Sequence, residues 1–221
     1  MQLPRGTVYG IVRTLQTVGF VEQDSESGKY QLGAALLHIG ARSLNGNELR
    51  RRAINWAEAL ATRVDESVLV GMLHDNHVLI VHHVHRPGES LQALEVGNLM
   101  PLHATALGKA LLAHHSYLVG ELAQEGLRRY TDATLDDLDL LDAQLREVAA
   151  RGWASDVEEL LPGVASVAAP IENRDRLVVG VVAISGAVER VCSDRLPRTD
   201  LAQTVMECGR AISRELGGTA W

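Results

Sequence analysis

Cysteine is nearly absent: Cys192 and Cys208 are the only two in 221 residues. Two thiols cannot staple a small secreted fold or complete a structural zinc site by themselves, so a reducing compartment is expected. Long apolar runs are missing too. Nothing approaches the ~18 consecutive apolar residues that a membrane helix needs. The opening Met1-Gln2-Leu3-Pro4-Arg5-Gly6-Thr7-Val8-Tyr9-Gly10 also lacks the apolar core of a secretion signal. The expectation is a soluble cytoplasmic chain with no membrane partner. Catalytic signatures are absent as well. With no G-x-S-x-G elbow, P-loop or H-E-x-x-H pair, serine hydrolysis, nucleotide-driven chemistry and zinc-peptidase chemistry have no foothold. No internal repeat or low-complexity tract occurs.

What is present is enough apolar residue, 46% of the chain, for one large or two smaller domains. The formal charge of −7 is unevenly placed. Residues 1–52 carry seven arginines and lysines against four carboxylates, a net +3, and the rest of the chain holds −10. A basic head on an acidic body suggests an anion-facing module joined to a domain with another task.

Periodicity divides the head further. Val8, Ile11, Val12, Leu15 and Val18 recur at helical steps, so residues 4–18 read as an amphipathic helix ended by Gly19. Residues 20–23 and 30–32 then read as two short strands around a polar, glycine-bearing turn. A helix followed by such a hairpin is how a winged helix-turn-helix presents its recognition helix and wing. Residues 33–44 are a second helical stretch, read as a linker broken at Asn45-Gly46-Asn47. A longer helix follows, with Leu49, Ala53, Trp56, Leu60 and Val64 on its apolar stripe. Strands are predicted over 67–73, 77–86, 91–96, 165–172 and 177–185, and helices over 105–113, 117–123, 135–150 and 194–216, the last interrupted near Pro197. Strands at both ends with helices between them give an α+β class, an antiparallel sheet covered by helices.

In this order and spacing the residues resemble the IclR (isocitrate lyase regulator) family of bacterial transcriptional regulators. The marks are Leu3-Pro4-Arg5-Gly6-Thr7-Val8-Tyr9, Gly19-Phe20-Val21-Glu22, Gly28-Lys29-Tyr30-Gln31-Leu32-Gly33 and Leu102-His103-Ala104-Thr105-Ala106-Leu107-Gly108-Lys109-Ala110. Arg151-Gly152-Trp153-Ala154 with Asp156 and Glu159, then Ile184-Ser185-Gly186, complete them. The run His82-His83-Val84-His85-Arg86-Pro87 is more weakly similar to the subgroup that regulates glycerol operons. The resemblance implies a partial winged helix-turn-helix over 1–33, a linker helix over 34–47 and a GAF-like effector domain over 48–221. It also implies dimers or tetramers on double-stranded operator DNA, no cofactor and no catalytic residue. Members carry two further helices before the recognition helix, so a late start codon or a truncated product is expected, and the underside of the first helix is expected to lack its usual partners.

Arg5, Thr7, Tyr9 and Arg13 lie off the apolar face of that helix and would meet base edges and phosphates, with Lys29 at the wing tip on backbone phosphate. The bland alternative is a solvated helix face. A helix starting at Thr105-Ala106-Leu107 offers open N–H groups to a small carboxylate or other small metabolite. By family motif position Ala106 and Leu107 give backbone contacts, Asp156, Ser166, Ala183 and Ser185 face them, and Leu91 and Leu94 wall the site. Ordinary strand serines and an aspartate helix cap are the alternatives. His74, His77, His82, His83, His85 and His103 are numerous enough for a metal, but alternation puts His82 on one side and His83 with His85 on the other. No metal site is therefore assigned. The resulting expectation is a ligand-responsive repressor, not an enzyme. The alternatives are a stand-alone ligand-binding or oligomerisation protein that has lost DNA binding and, behind it, a metal-dependent hydrolase.

Overall fold

A computed structural model describes residues 3–86, 88 and 95–217, without the side chains of 41, 42, 45 and 46. It divides into two compact units, Met1–Asn47 and Glu48–Trp221.

The first unit opens with α1 (Arg5–Thr17). Pro4 precedes it with an extended backbone, and its carbonyl accepts from Thr7 and Val8 N–H, which closes the first turn. Gly19, at φ +72°, turns the chain into β1 (Val21–Gln23), which pairs antiparallel with β2 (Tyr30–Leu32). Between them Asp24 Oδ1 accepts from Glu26 N, Ser27 N and the Ser27 hydroxyl. Gly28 at φ +68° completes that turn. Gly33 N donates to Phe20 O, and a Cβ there would overlap the Gly19 carbonyl. The hairpin is thus locked to the start of α2 (Ala34–Gly46). The break expected at Asn45-Gly46-Asn47 falls at its last residue: the helix runs through Asn45 and Gly46 and ends at an extended Asn47.

The second unit begins with α3 (Glu48–Val64). Its buried stripe is Leu49, Ala53, Ala57, Leu60 and Ala61, while Trp56, expected inside, is 39% exposed. Small alanines let α3 lie close against the sheet, and the indole is too bulky for that seam.

One six-stranded antiparallel sheet forms the body, ordered β5 (Leu99–Pro101), β4 (His77–Val84), β3 (Ser67–His74), β8 (Val178–Ala187), β7 (Val164–Glu172) and β6 (Ala154–Val157). Two meanders, β3-β4-β5 and β6-β7-β8, meet at the β3–β8 pair. The expected strand at 91–96 lies largely outside the described residues, and described Val96 is in a turn. Over one part of the sheet pack α4 (Ala106–Leu112), α5 (Ser116–Glu125) and α6 (Leu138–Arg151). Their shared core includes Ile80, Leu102, Leu111, Leu112, Leu141 and Val181. The sixth helix starts three residues later than the apolar pattern suggests, because the Asp137 carboxylate accepts from Asp139 and Leu140 N–H and fixes the entry there.

The chain then forms α7 (Val188–Val191) and a short hairpin, β9 (Cys192–Ser193) with β10 (Leu196–Pro197). The final helix is α8 (Thr199–Glu215). Residues 194–198, expected as helix, form that hairpin because Asp194 and Arg195 take positive φ and Pro197 closes the strand.

Candidate functional site

In the first unit Arg5, Thr7, Tyr9 and Arg13 are all exposed on α1. Helical spacing of four puts Arg5, Tyr9 and Arg13 on one stripe, while Thr7 sits at the far edge of the polar face. Gly6 and Gly10 flank the stripe and face open space, so the helix backbone is open to close approach there. Lys29 is exposed beside the hairpin turn. The other side of α1 presents Val8 and Ile11, 44% and 47% exposed, and the helix has no buried residue.

The second unit holds a cavity of about 480 Å3 over one face of the sheet, within the usual size of small-molecule sites. Its floor follows from strand register. Asp156 lies opposite Ser166, Ser166 opposite Ser185, and Ser185 opposite Ser67. Side chains directly opposite each other share a face, so four adjacent strands, β6, β7, β8 and β3, present one continuous polar row. The Ser166 hydroxyl donates to Ser185 Oγ at 3.3 Å, and Ser67 Oγ accepts from Arg86 N at 3.2 Å. Leu69, Met100, Leu107, Leu160, Leu161 and Val164 supply the apolar part of the lining.

At one end of the row is Asp156, 5% exposed, whose Oδ2 accepts from Ala106 N at 2.9 Å. The Ala106 N–H, expected to be open to a ligand, is therefore already taken by a carboxylate of the chain itself. Thr105 Oγ1 accepts from Gly108 N at 3.0 Å and caps the same turn. Burial pushes the Asp156 carboxyl up to about 7, against the Ala106 N–H bond and nearby Lys109, which favour its ionised form. Behind it, Lys109 is fully buried and donates to Glu159 Oε1 at 2.5 Å and Ser155 O at 3.1 Å. Burial moves Lys109 down and Glu159 up from their ordinary values, while their mutual attraction opposes both shifts. A Cβ on Gly108 would overlap the Leu102 backbone, so this helix can approach so closely only with glycine at that position.

At the other end Glu66, 3% exposed, receives Arg190 in a two-pronged pair, Nε to Oε1 at 2.5 Å and Nη2 to Oε2 at 3.0 Å. Arg86 donates to Asp65 Oδ2 at 2.9 Å and has its Nε 4.0 Å from Glu66 Oε2. Gly186 lies against Glu66, where a Cβ would collide with the carboxylate. Glu66, Ser67, Arg86 and Arg190 all line the cavity. The sequence pattern missed them because Glu66 and Arg190 look like ordinary charges at element ends. Ser67 opens an apolar strand, where a serine reads as an ordinary boundary residue.

Of the expected pocket residues, Ala106, Leu107, Asp156, Ser166 and Ser185 line this cavity together. Ala183 does not: it is fully buried in the apolar core beneath. Leu91 and Leu94 lie outside the described residues. His83 lines the cavity, its Nδ1 accepting from Glu95 N at 3.3 Å, and burial lowers its pKa. Its ring centroid is 4.4 Å from that of His85. His103 is a buried core histidine bonded to Arg128 O at 2.9 Å. Among the described residues no three histidine, cysteine or acidic side chains gather in a metal-holding group. No described helix is long and apolar enough to cross a membrane.

Residues 41–214 match the family model described as bacterial transcriptional regulator IclR, C-terminal. A glycerol operon regulatory protein of Streptomyces coelicolor is 50% identical over 215 residues, which are 97% of this chain and 85% of that protein. The HTH-type transcriptional repressor AllR of Salmonella paratyphi A is 29% identical over 98% of this chain and 80% of its own length. An IclR homolog from Microbacterium hydrocarbonoxydans, solved in complex with 4-hydroxybenzoate, superposes with a TM-score of 0.81 at 22% identity, covering 97% of this chain and 86% of that one. At that identity the likeness is one of fold.

Proposed function

The chain belongs to the IclR family of bacterial transcriptional regulators, and on that premise we propose how its parts divide the work. Residues 1–33 read DNA as part of a winged helix-turn-helix, 34–47 form the linker helix, and 48–221 form the effector domain. Arg5, Tyr9 and Arg13 address base edges and phosphates from one stripe, Thr7 from its edge, and Lys29 the backbone beside the hairpin. The effector, a small metabolite, occupies the cavity over the polar row, in contact with Ala106, Leu107, Asp156, Ser166 and Ser185. The protein acts in the cytoplasm as a homodimer or homotetramer, as a repressor, and performs no reaction of its own.

The observation that carries this reading is the cavity itself: a half-polar chamber in the unit matched by the regulator family model, with a buried carboxylate at its inner end. Regulation requires the effector to favour one arrangement of the assembly over another, since equal affinity for both would shift nothing. A mobility shift on the DNA upstream of its own gene, at two salt concentrations, tests the reading. Phosphate contacts predict a specific shift that weakens steeply with salt. No shift from a folded chain that still binds its ligand would support the alternative, a sensor or oligomerisation partner without DNA binding.

A further inference from the structure

The outward side of α1 offers DNA fewer hydrogen-bonding groups than its sequence suggests. At the helical repeat, the side opposite Val8, Ile11 and Leu15 is taken by Gly6, Gly10, Arg13 and Thr17, with Thr14 one turn beyond Gly10. All five are exposed. The threonines look like partners for phosphate, yet both hydroxyls are turned back on the helix. Thr14 Oγ1 donates to Gly10 O at 3.0 Å, and Thr17 Oγ1 to Arg13 O at 2.9 Å. A hydroxyl has one proton to give, so neither can donate to a phosphate or to an acceptor on a base. The methyl is the group that each leaves to face outward.

The two methyls differ in what lies beside them. Helical side chains lean toward the N-terminus and cover the preceding turn. Thr17 therefore leans over Arg13 and shares its space with a long side chain. Thr14 leans over Gly10, which has none. Glycine is a poor helix residue, and the fold gives no packing reason for it here, since Gly6 and Gly10 both face open space. Bare backbone at these positions admits a surface close to the helix, and the Thr14 methyl is the apolar group that surface meets. In a major groove the matching feature is the C5-methyl of thymine, the one base-edge group there that makes no hydrogen bond, and threonine methyls pack against it.

Resting on the reading of α1 as the DNA-reading helix, we propose that Thr14 is a specificity residue, recognising thymine by methyl-to-methyl contact over the bare turn at Gly10. Arg5, Tyr9 and Arg13 bring charge and hydrogen bonds from the adjacent stripe. Thr14 brings the distinction between thymine and cytosine, which has no methyl at C5.

The test is binding of the full chain to the DNA upstream of its own gene, followed by fluorescence anisotropy, on probes carrying either thymidine or deoxyuridine throughout. Deoxyuridine keeps the O4 acceptor and lacks only the methyl. Burying one methyl is worth about fourfold in affinity, so the deoxyuridine probe should bind at least about fourfold more weakly. Thr14→Ser keeps the hydroxyl and drops the methyl; it should narrow the preference for the thymidine probe about fourfold. Thr14→Val drops the hydroxyl, keeps a methyl and should keep the preference. Equal binding of the two probes by the unaltered chain overturns the proposal. So does a preference undiminished in Thr14→Ser, which is the mark of methyls acting elsewhere or through duplex shape, or a Thr14→Val that loses it. The comparison of probes on the unaltered chain stands even if a variant misfolds. A folded chain that binds neither probe better than unrelated DNA refutes α1 as the reading helix and this inference with it. Specific binding that is equal on both probes removes the Thr14 contact alone and keeps that reading.

Discussion

Replacing Lys109 with methionine removes the ammonium that Glu159 meets in a buried place. Lys109 is 0% exposed and Glu159 6%, and the pair is closed at 2.5 Å. Breaking one side of such a pair costs about 3–5 kcal/mol, most of it the stranded charge. Glu159 can escape by taking up a proton. Its carboxyl is already raised by burial, and Lys109 supplies the largest opposing influence, so in Lys109→Met the folded pKa climbs further. A folded pKa above the unfolded one makes stability fall as pH rises from the unfolded value toward the folded one. The deficit should therefore be smaller near pH 5 than near pH 8, with the melting midpoint at the higher pH lowered by up to about 6–20 °C for a unit of this size. Adding Glu159→Leu removes the stranded charge and should recover the chain to within about 2 kcal/mol of its starting stability. All three tryptophans lie in residues 48–221, so urea unfolding followed by their fluorescence reports this unit alone. A single-variant cost below about 1 kcal/mol, a cost that ignores pH, or a double variant no better than the single would refute the reasoning.

Asp156 has a folded pKa of about 7 against an ordinary 3.8, so the native protein holds its proton through that window and loses stability as pH rises across it. Asp156→Asn should flatten this slope and stabilise the chain near pH 8, with a ceiling on the order of 4 kcal/mol, and should give no gain near pH 4; calorimetric melting at both pH values checks it. Gly186→Ala pushes a methyl into the Glu66 carboxylate and should cost about 1–3 kcal/mol in urea unfolding, together with weakened ligand binding as the Glu66–Arg190 pair shifts. On the DNA side, Arg13→Ala should reduce the magnitude of the log–log salt slope of operator binding by about one if it meets phosphate. An unchanged slope with relaxed sequence preference would place it on a base instead.

Much of this architecture was legible because its elements bury one face. The amphipathic run from Val8 to Val18, the helix at 34–46 and the long apolar strands at 67–74, 164–172 and 178–187 all announced their period. The strands at 99–101 and 154–157 did not, since three or four residues are too few to show alternation and Asp156 interrupts the second. Trp56 satisfied the helical spacing and still ended outside, because spacing says which way a side chain points and not how much room awaits it. The site was half legible. Asp156, Ser166 and Ser185 came from motif position, and Ser67, Glu66 and Arg190 stayed hidden. Their proximity is made by the pairing of β3 with β8, two strands from opposite ends of the unit, and no local pattern encodes which distant strands will meet.

That same pairing has a consequence in time. The ribosome delivers β3 early and β8 only after the whole helical layer has been made, and non-local strand pairs of this kind are slow to form. Until β8 emerges, Ser67 has no Ser185 beside it, Glu66 has no Arg190, and the polar row is in two pieces. The chamber therefore exists only once β8 and Arg190 have been made; on the proposed reading of it as the effector site, a shorter nascent chain cannot sense the metabolite. Once it can, the ligand's own binding energy favours the closed central pair over its open precursors. Quality control of the fold and readiness to report on the cell's chemistry arrive in the same step.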